Sequence, residues 1–257
     1  MCYDVSVLTK TKKEYADRYG QGAHGQQLLL FQLENIPTLQ HLVQYHANGF
    51  TQPYLPVITN ENPDIIQFYQ WGLIPFWVKD SDVALRLARS TINARGETIF
   101  IKPSFKAAAQ YHRCLVIVDG FFEHRHAGGK TYPYYIYHKN GKPLTLAGLW
   151  QSWYDREFDC ERLTVSIVTT KANAMMAQIH NNSKLKEARM PFILDEETEG
   201  LWLSPLSKPD IKSLIVPYAK NDLACHTVHK IRGKYALGNN PQSIQVYNYE
   251  KLSPILQ

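Results

Sequence analysis

The sequence contains many short segments rich in β-branched and aromatic residues, and this pattern constrains the fold more than any other feature. Such segments, bounded by Gly, Asn, Asp and Pro, are typical of β-strands. Helical segments do not follow the strands in turn, so the chain lacks the strand–helix alternation of a parallel sheet. The pattern predicts an α+β fold on a mainly antiparallel, barrel-like sheet with short peripheral helices. No repeat or flexible linker interrupts residues 1–257, which predicts a single domain.

Local signals assign the individual elements. Strands are predicted at the segments with the strongest β enrichment, which are Ile65–Trp71, Arg113–Val118, Tyr132–His138, Pro143–Trp150, Leu163–Thr169 and Met190–Leu194. Short helices are predicted at 10–19, Pro37–His46, Ser81–Ala88 (with Ser81 as N-cap), Ala172–Ile179 and Asp195–Leu203. The dipeptide Asn140-Gly141 is a strong hairpin-turn signal, so the strands on either side of it are expected to pair.

Composition and motifs exclude several classes of protein. Hydrophobic residues make up 44% of the chain and charged residues 20%, which is typical of a globular protein and not of a disordered one. The four cysteines form no CxxC or CxxH pair, so we expect reduced thiols and neither a structural zinc site nor a disulfide scaffold. No Gly-rich phosphate loop indicates a nucleotide cofactor. Neither a signal peptide nor an apolar run of about 20 residues is present, so we expect no membrane association.

One stretch carries most of the positive charge. Between Lys79 and Arg113 lie seven Lys or Arg and three Asp or Glu, so this stretch contributes +4 of the net charge of +5. Two interpretations are open: a solvated face, or a groove that binds phosphates. Trp71, Phe76 and Trp77 directly precede the stretch. Aromatic rings beside basic residues are what a single-stranded nucleic-acid site uses.

Cys2 is the first residue with distinctive chemistry. If Met1 is removed, Cys2 carries an α-amine and a thiol on adjacent carbons, with ordinary pKa values of about 7.7–8.0 and about 8.5. Two such nucleophiles can close a thiazolidine ring on an aldehyde, which no internal cysteine can do. Removal of Met1 is expected because cysteine is small. The alternative is a cysteine that stands near the terminus by chance.

Four further residues suit acid–base or positioning roles. Arg95, in the sequence STINARGET, suits a bidentate bond to phosphate, and Asn93 offers a donor and an acceptor for an amine or an oxyanion. Glu123 ends the apolar run VDGFFE, where burial raises a carboxyl pKa into a range useful for proton transfer. His180 follows a short helix and precedes the sequence RMP at 189–191. Each residue also has a purely structural interpretation, and their scattered spacing does not decide between the two.

Taken together, five segments resemble the SRAP (SOS response-associated peptidase) family. They occur in the family's order and span about residues 1–240. The segments are Cys2 directly after Met1, WGLIP at 71–75, INARGET at 92–98, DGFFE at 119–123, and Ile179-His180 followed by Arg189-Met190-Pro191. The INARGET and DGFFE motifs are specific in combination, whereas either one alone is weak.

The resemblance implies a compact α+β domain that binds single-stranded DNA and bonds covalently to abasic sites. By this resemblance, Cys2 is the nucleophile and Asn93 positions its amine and the sugar. Glu123 shuttles protons, and His180 assists ring opening and proton transfer. The residues expected to contact, support or wedge the DNA are Arg95, Trp71, Trp77, Arg86, Arg89 and Pro53 of the 53–56 loop.

The chain also departs from the family pattern at three places. Tyr3 and Asp4 stand where the family usually has Gly and Arg, which exchanges a small residue and a cation for a ring and a carboxylate. His124 follows the DGFFE motif where Trp is common. Residues 181–188 (NNSKLKEA) separate His180 from RMP where the family usually has one residue. This polar run predicts a looped insertion that leaves His180 in the site.

The leading hypothesis is a DNA-damage protein that crosslinks to abasic sites in single-stranded DNA and shields them, with lyase activity or reversal at the same site. Two alternatives stay open. One is a cysteine peptidase, a hydrolase that removes at least its own N-terminal Met, and the other is a DNA-binding module without covalent chemistry. We expect a monomeric, cytoplasmic protein that joins the nucleoid when bound to DNA and needs no metal or other cofactor.

Overall fold

The structure is a computed structural model that describes residues 2–250 and 252–255, with thirteen strands and eight α-helices in those ranges. The strands are Asp4–Val7 (β1), Gln44–Asn48 (β2), Tyr54–Thr59 (β3), Gln67–Trp71 (β4), Asn93–Arg95 (β5), Arg113–Val118 (β6), Gly120–Ala127 (β7), Lys130–His138 (β8), Leu144–Asp155 (β9), Cys160–Lys171 (β10), Arg189–Pro191 (β11), Ile193–Leu194 (β12) and Leu223–Thr227 (β13). The helices are Lys12–Tyr19 (α1), Gly22–Glu34 (α2), Leu39–Leu42 (α3), Ser81–Ser90 (α4), Pro103–Tyr111 (α5), Ala174–Ile179 (α6), Glu196–Leu203 (α7) and Lys208–Leu214 (α8).

The larger of two sheets closes into a five-stranded barrel. Its strand order is β11-β10-β4-β3-β6-β9-β12, and a further pairing of β9 with β10 completes the ring. Strand β10 runs parallel to β4 and to β5, which also pairs with it. The remaining pairings described in this sheet are antiparallel. The predicted α+β fold on a mainly antiparallel, barrel-like sheet is therefore confirmed.

The smaller sheet brings the start of the chain beside the DGFFE motif. Its order is β13-β8-β7-β1-β2, and its pairings are antiparallel. The register pairs Asp4 with Phe122 and Val5 with Phe121. Continuing this register by one residue sets Tyr3 alongside Glu123. The sheet thereby places the second and third residues of the chain against the end of the apolar run.

The predicted hairpin around Asn140-Gly141 is wrong, although both of its strands exist. Strand β8 pairs with β7 and β13, whereas β9 pairs with β6, β10 and β12 in the other sheet. The first eight residues of β9 are all buried, so this strand belongs in the sheet that forms the barrel and not in an isolated two-stranded hairpin. The tight hairpin lies between β7 and β8 instead, where Gly128 and Gly129 have φ angles of +54° and +72°. Two positive φ angles are what a two-residue turn of this kind requires.

The helix predictions are confirmed in part. The predictions at 10–19, 172–179 and 195–203 correspond to α1, α6 and α7. The helix predicted at 37–46 is wrong beyond the single turn of α3, because the chain then forms β2 and pairs with β1. Helix α2 was not predicted at all. The N-cap of α4 is Asp80 and not Ser81, since a carboxylate oxygen of Asp80 accepts the N–H of Val83 at 2.8 Å.

One large apolar cluster contains residues from both sheets and from several helices. Asp119, the first residue of the DGFFE motif, ties α1 to this cluster. Its carboxylate accepts the hydroxyl of Tyr15 at 2.6 Å and both the N–H and the hydroxyl of Thr9, at 2.7 and 2.9 Å. The first half of the motif is therefore structural. Within residues 2–250 and 252–255, no helix has the length and apolarity needed to cross a bilayer.

Candidate functional site

Cys2 is fully buried and held from two sides. Its carbonyl oxygen accepts a hydrogen bond from Nδ2 of Asn93 at 2.8 Å, and the next carbonyl, that of Tyr3, accepts the N–H of Gly49 at 2.8 Å. Burial raises the pKa of the Cys2 thiol, and the negative charge of Glu123 raises it further. The thiol is therefore protonated at neutral pH. Met1, whose removal is part of the sequence hypothesis, lies outside the described residues.

Glu123 and His180 face each other across a short gap. Oε2 of Glu123 lies 3.9 Å from Nε2 of His180, and both residues are 7% exposed. The other carboxylate oxygen accepts the N–H of His124 at 3.0 Å. Burial raises the pKa of Glu123. A carboxyl group with a raised pKa, next to an imidazole, can both accept and return a proton near neutrality.

The protonation of His180 is set by its surroundings. Nδ1 of His180 accepts the backbone N–H of Arg189 at 2.9 Å, so the neutral ring carries its proton on Nε2, the atom that faces Glu123. Burial lowers the pKa of His180 to about 4, and the charge of Arg189 contributes. The imidazole is therefore neutral at pH 7 and presents an N–H donor to the site.

The run 181–188 loops out, as the sequence predicts, and leaves His180 beside Glu123. The side chain of Asn181 fastens the loop to β7: its Oδ1 accepts the N–H of His126 at 2.7 Å and its Nδ2 donates to the carbonyl of His126 at 3.0 Å. At the other end, the carbonyl of Ala188 accepts the N–H of Ala172 at 3.0 Å. The insertion is closed at its base, so its added length does not displace His180.

Arg189 and Glu97 are positioning residues that sequence reasoning did not single out. Arg189 is 2% exposed, and its guanidinium forms a bidentate pair with the carboxylate of Glu97 at 3.1 and 2.9 Å. It also donates to the carbonyl of Thr169 at 2.9 Å. The pair joins the INARGET motif to RMP and fixes the backbone N–H that orients His180. The signal available in the sequence was that Glu97 lies in the INARGET motif and Arg189 in RMP.

Trp71 was predicted to support or wedge the DNA, and its burial excludes a direct contact. Its side chain is fully buried, so a base cannot stack on it. Its indole N–H donates to the carbonyl of Ile92 at 2.9 Å, directly before β5. Trp71 therefore supports the strand that carries Asn93. On that strand, Oδ1 of Asn93 is buried and has no hydrogen-bond partner among the described residues.

Arg113 does not belong to a basic surface either. It is 2% exposed, and its guanidinium donates to four backbone carbonyls, those of Trp202, Ala109, Gln110 and Ser204, at 2.7, 3.0, 2.8 and 2.5 Å. This arginine fastens the core and cannot contact a phosphate. The basic stretch therefore supplies fewer surface charges than its sequence suggests.

The other predicted DNA contacts are accessible. Trp77 is 47% exposed, and Arg86, Arg89 and Arg95 are exposed, whereas Pro53 is half-buried. Arg95 follows Asn93 on β5, which attaches a surface cation to the same strand that touches Cys2. The structure thus leaves these side chains on the surface, and it brings one of them close to the buried group.

A cavity of about 490 Å³ opens beside Glu123 and His180. Tyr3 and Asp4, which form the first of the departures from the family pattern, line it. Its other lining residues are Phe122, Glu123, His124, His126, Thr131, Pro133, His180, Asn182, Leu185, Lys230, Ile231 and Arg232. The wall of the cavity therefore contains the Glu123–His180 pair, residues of the 181–188 insertion and two cations, Lys230 and Arg232.

Asp4 is buried in the cavity wall and fully partnered. Its Oδ1 accepts Nδ2 of Asn48 at 2.8 Å and bonds to Nε2 of His46 at 2.9 Å, and its Oδ2 forms an ion pair with Arg232. Although burial alone raises it, the pKa of Asp4 is lowered by the bond to His46 and the charge of Arg232. Asp4 is therefore ionised. No group of three or more His, Cys, Asp or Glu in the described ranges is arranged to hold a metal ion.

Comparison with known proteins identifies the family of the chain. The sequence model of the family "SOS response associated peptidase (SRAP)" matches residues 1–234. The chain is 33% identical over 208 residues to the abasic site processing protein YoqW of Bacillus subtilis (strain 168), covering 79% of this chain and 87% of that protein. It is 28% identical over 184 residues to the abasic site processing protein HMCES of Gallus gallus, covering 64% and 52% respectively.

A solved structure supports the same assignment. A protein of Bacteroides thetaiotaomicron has a TM-score of 0.78 and 35% identity, over 96% of this chain and 100% of that chain. The family match, the related sequences and the shared fold give one conclusion: this chain belongs to the SRAP family.

Proposed function

We propose that this protein processes abasic sites in DNA by forming a covalent thiazolidine with them through Cys2. The names of its relatives YoqW and HMCES support abasic-site processing. The observation that carries the chemistry is the proximity of Cys2 to Glu123, whose negative charge acts on the Cys2 thiol and whose carboxylate faces a neutral His180. An amine, a thiol, a carboxylate and an imidazole N–H are the groups that this reaction uses.

The reaction begins once Met1 is removed. The α-amine of Cys2 attacks the C1′ aldehyde of the ring-opened sugar and forms a carbinolamine, which loses one water to give an imine. The thiol sulfur then adds to the imine carbon, and its proton moves to the nitrogen. One C–N bond and one C–S bond form, and one water leaves in all. The amine acts first because burial keeps the thiol protonated.

Glu123 and His180 serve the proton transfers. In the closed sugar, Nε2–H of His180 donates to the ring oxygen while the Glu123 carboxylate takes the proton of the C1′ hydroxyl, which opens the ring to the aldehyde. Glu123 then carries the thiol proton to nitrogen. The unpartnered Oδ1 of Asn93 accepts a hydrogen bond from the reacting amine. The same carboxylate can remove a proton from C2′ of the sugar, which would allow slow strand cleavage by β-elimination. It can also return the proton from nitrogen to sulfur, after which water hydrolyses the imine and the crosslink is reversed.

The protein recognises single-stranded DNA through its exposed cations and rings. Arg86, Arg89 and Arg95 attract the phosphates, and Trp77 stacks on a base. The crosslink then shields the lesion. In this proposal the protein acts as a monomer in the cytoplasm, on nucleoid DNA.

The test is trapping of the adduct with single-stranded DNA that contains one abasic site. Wild-type protein is expected to give an adduct that survives heating, whereas Cys2→Ala gives none and retains non-covalent binding. Cys2→Ser keeps the amine and is expected to give only a labile imine that borohydride traps. A heat-stable adduct with Cys2→Ala contradicts the proposal. Peptide turnover without any adduct would favour a peptidase, and salt-sensitive binding alone would favour a simple binding module.

A further inference from the structure

Two cations, Lys230 and Arg232, line the cavity beside the proton-transfer pair, and they differ in what they have left to offer. The ammonium of Lys230 already donates to the carbonyl of Thr131 and lies 5.4 Å from the ring centroid of Tyr132 and 5.6 Å from that of Tyr249. Burial lowers the pKa of Lys230. Lys230 is therefore engaged in holding its own segment against β8.

Arg232 is oriented but not saturated. One terminal nitrogen of its guanidinium donates to Oδ2 of Asp4, while 44% of its side chain is exposed. No other guanidinium nitrogen of Arg232 has a hydrogen-bond partner in the part of the chain that the structure describes. Asp4 is fixed by His46 and Asn48, so the guanidinium is anchored to a rigid partner. An anchored guanidinium with free donors is prepared for a second anion.

The charge of Arg232 is directed into the cavity. His124 and Tyr3 both line the cavity, and both respond to this charge. Burial lowers the pKa of His124 to about 4, and Arg232 is the next largest cause. The pKa of Tyr3 is raised by burial and by Glu123, whereas Arg232 and Arg95 oppose that rise. The cation in the cavity and the cation on β5 therefore both act on Tyr3.

We propose that Arg232, held by Asp4, binds a phosphodiester group of the DNA immediately beside the abasic sugar. Two N–H donors in a rigid fork match two phosphate oxygens, which an ammonium group cannot do. The site supplies a phosphate contact inside the cavity, next to Tyr3 and Glu123, in addition to that of the surface Arg95. The inference rests on the proposed function, because it assumes that the sugar enters this cavity.

The test measures non-covalent binding in the Cys2→Ala background, with single-stranded DNA that carries one tetrahydrofuran abasic analogue. Arg232→Ala is expected to weaken binding about tenfold, as loss of a charge-assisted hydrogen bond does. It should also reduce the slope of log affinity against log salt by about 0.7, the value for one phosphate on a single strand. Lys234→Ala, an exposed cation two residues further on and outside the cavity lining, is the matched control and is expected to change neither quantity.

Neutral methylphosphonate linkages identify the phosphate. Placed one at a time around the analogue, one flanking linkage should weaken wild-type binding and have no further effect on Arg232→Ala. If every neutral linkage weakened the binding of Arg232→Ala as much as it weakens the binding of wild type, Arg232 would bind no phosphate. That result would overturn the inference.

Asp4→Asn separates positioning from contact. This variant keeps hydrogen-bonding capacity but loses the charge that anchors Arg232. Its binding should therefore weaken, and the flanking methylphosphonate linkage should cause little further loss. Arg232→Lys should bind only slightly better than Arg232→Ala. An Asp4→Asn protein whose response to the neutral linkage equals wild type would contradict the anchoring role. Adduct formation by the protein with native Cys2 is measured separately. Absence of an adduct defeats the proposed function, whereas a normal adduct with wild-type behaviour of Arg232→Ala defeats only this inference.

Discussion

The cavity beside Glu123 and His180 and the exposed side chains of Trp77, Arg86, Arg89 and Arg95 use charge in opposite ways. In the cavity, Glu123 and His180 are almost fully buried. Burial raises the pKa of Glu123 and lowers that of His180, and both shifts favour the neutral form. On the surface, the arginines remain in water, where they attract phosphate over a distance that salt limits. In the proposed function, the first region moves protons and the second attracts a DNA strand.

The comparison shows that burial, and not residue type, decides the role. Trp71 and Trp77 stand six residues apart, and one is fully buried while the other is 47% exposed. Arg113 and Arg89 differ in the same way, since Arg113 is 2% exposed and Arg89 is exposed. A count of charges or rings along the sequence includes both kinds of residue. Variants of matched pairs therefore test the assignment directly.

The largest expected effect is that of removing the buried ring. Trp71→Ala should lower the free energy of unfolding by about 3–5 kcal/mol, the cost of deleting a buried aromatic side chain. Trp77→Ala should change it by less than about 0.5 kcal/mol and should weaken binding of single-stranded DNA instead. Urea unfolding and a binding titration of both variants measure this. Equal stability of the two variants would show that the proposed division is wrong.

Loss of His180 should affect chemistry and not folding. His180→Ala is expected to slow adduct formation by up to about 10²-fold, as loss of a general acid does. Because its pKa is about 4, His180 is neutral from weakly acidic to basic pH, so this factor should stay constant across that range. Rates at several pH values check this, with the exposed His41→Ala as control. A wild-type rate, or an effect that titrates near the ordinary histidine pKa, would contradict the assigned role.

Glu123 should make the fold less stable as pH rises. Its pKa is raised in the folded state, so its contribution to stability is complete below the pKa of the unfolded chain and is lost as pH rises through the folded-state value. Glu123→Gln should therefore be more stable than wild type at pH 7, and the difference should vanish in acid. Urea unfolding at both pH values measures it, and the exposed Glu157→Gln should show no such difference. A less stable Glu123→Gln at pH 7 would mean that partners favour the ionised carboxylate.

The smallest effect is expected at the surface. Arg95→Ala should weaken binding of single-stranded DNA a few-fold and lower its salt slope by about 0.7. Lys142→Ala removes the same charge from an exposed position beside Glu196 and should leave the slope unchanged. Equal slopes for Arg95→Ala and wild type would mean that this cation faces only solvent.

The sequence predicted the parts of the molecule that depend on local pattern. The α+β class, the strand at Arg113–Val118 and the helix at Asp195–Leu203 follow from composition and end signals, and the motifs named Glu123 and His180. Their proximity could only be inferred from family resemblance, because it depends on α6 packing against β7 and on the hydrogen bonds between Asn181 and His126.

What the sequence could not provide was the outcome of long-range pairing. Strand β9 pairs within the larger sheet and not with β8, the preceding strand, because the barrel buries it more completely. Strand β2 forms in place of a predicted helix because it pairs with β1. Arg232 lies far along the chain from Asp4, and no local pattern indicates that the two form an ion pair. The pairing also places a cation beside Asp4, where the carboxylate replaces the arginine that is usual in the family.

The most direct test is the intact mass of the wild-type protein after incubation with single-stranded DNA containing one abasic site. The predicted product has the mass of the chain without Met1 plus that of the DNA minus one water. A thiazolidine has no imine left to reduce, so borohydride should add no hydrogen to it. Recovery of both components unchanged, or a product that gains two hydrogens on borohydride treatment, would contradict a thiazolidine at Cys2.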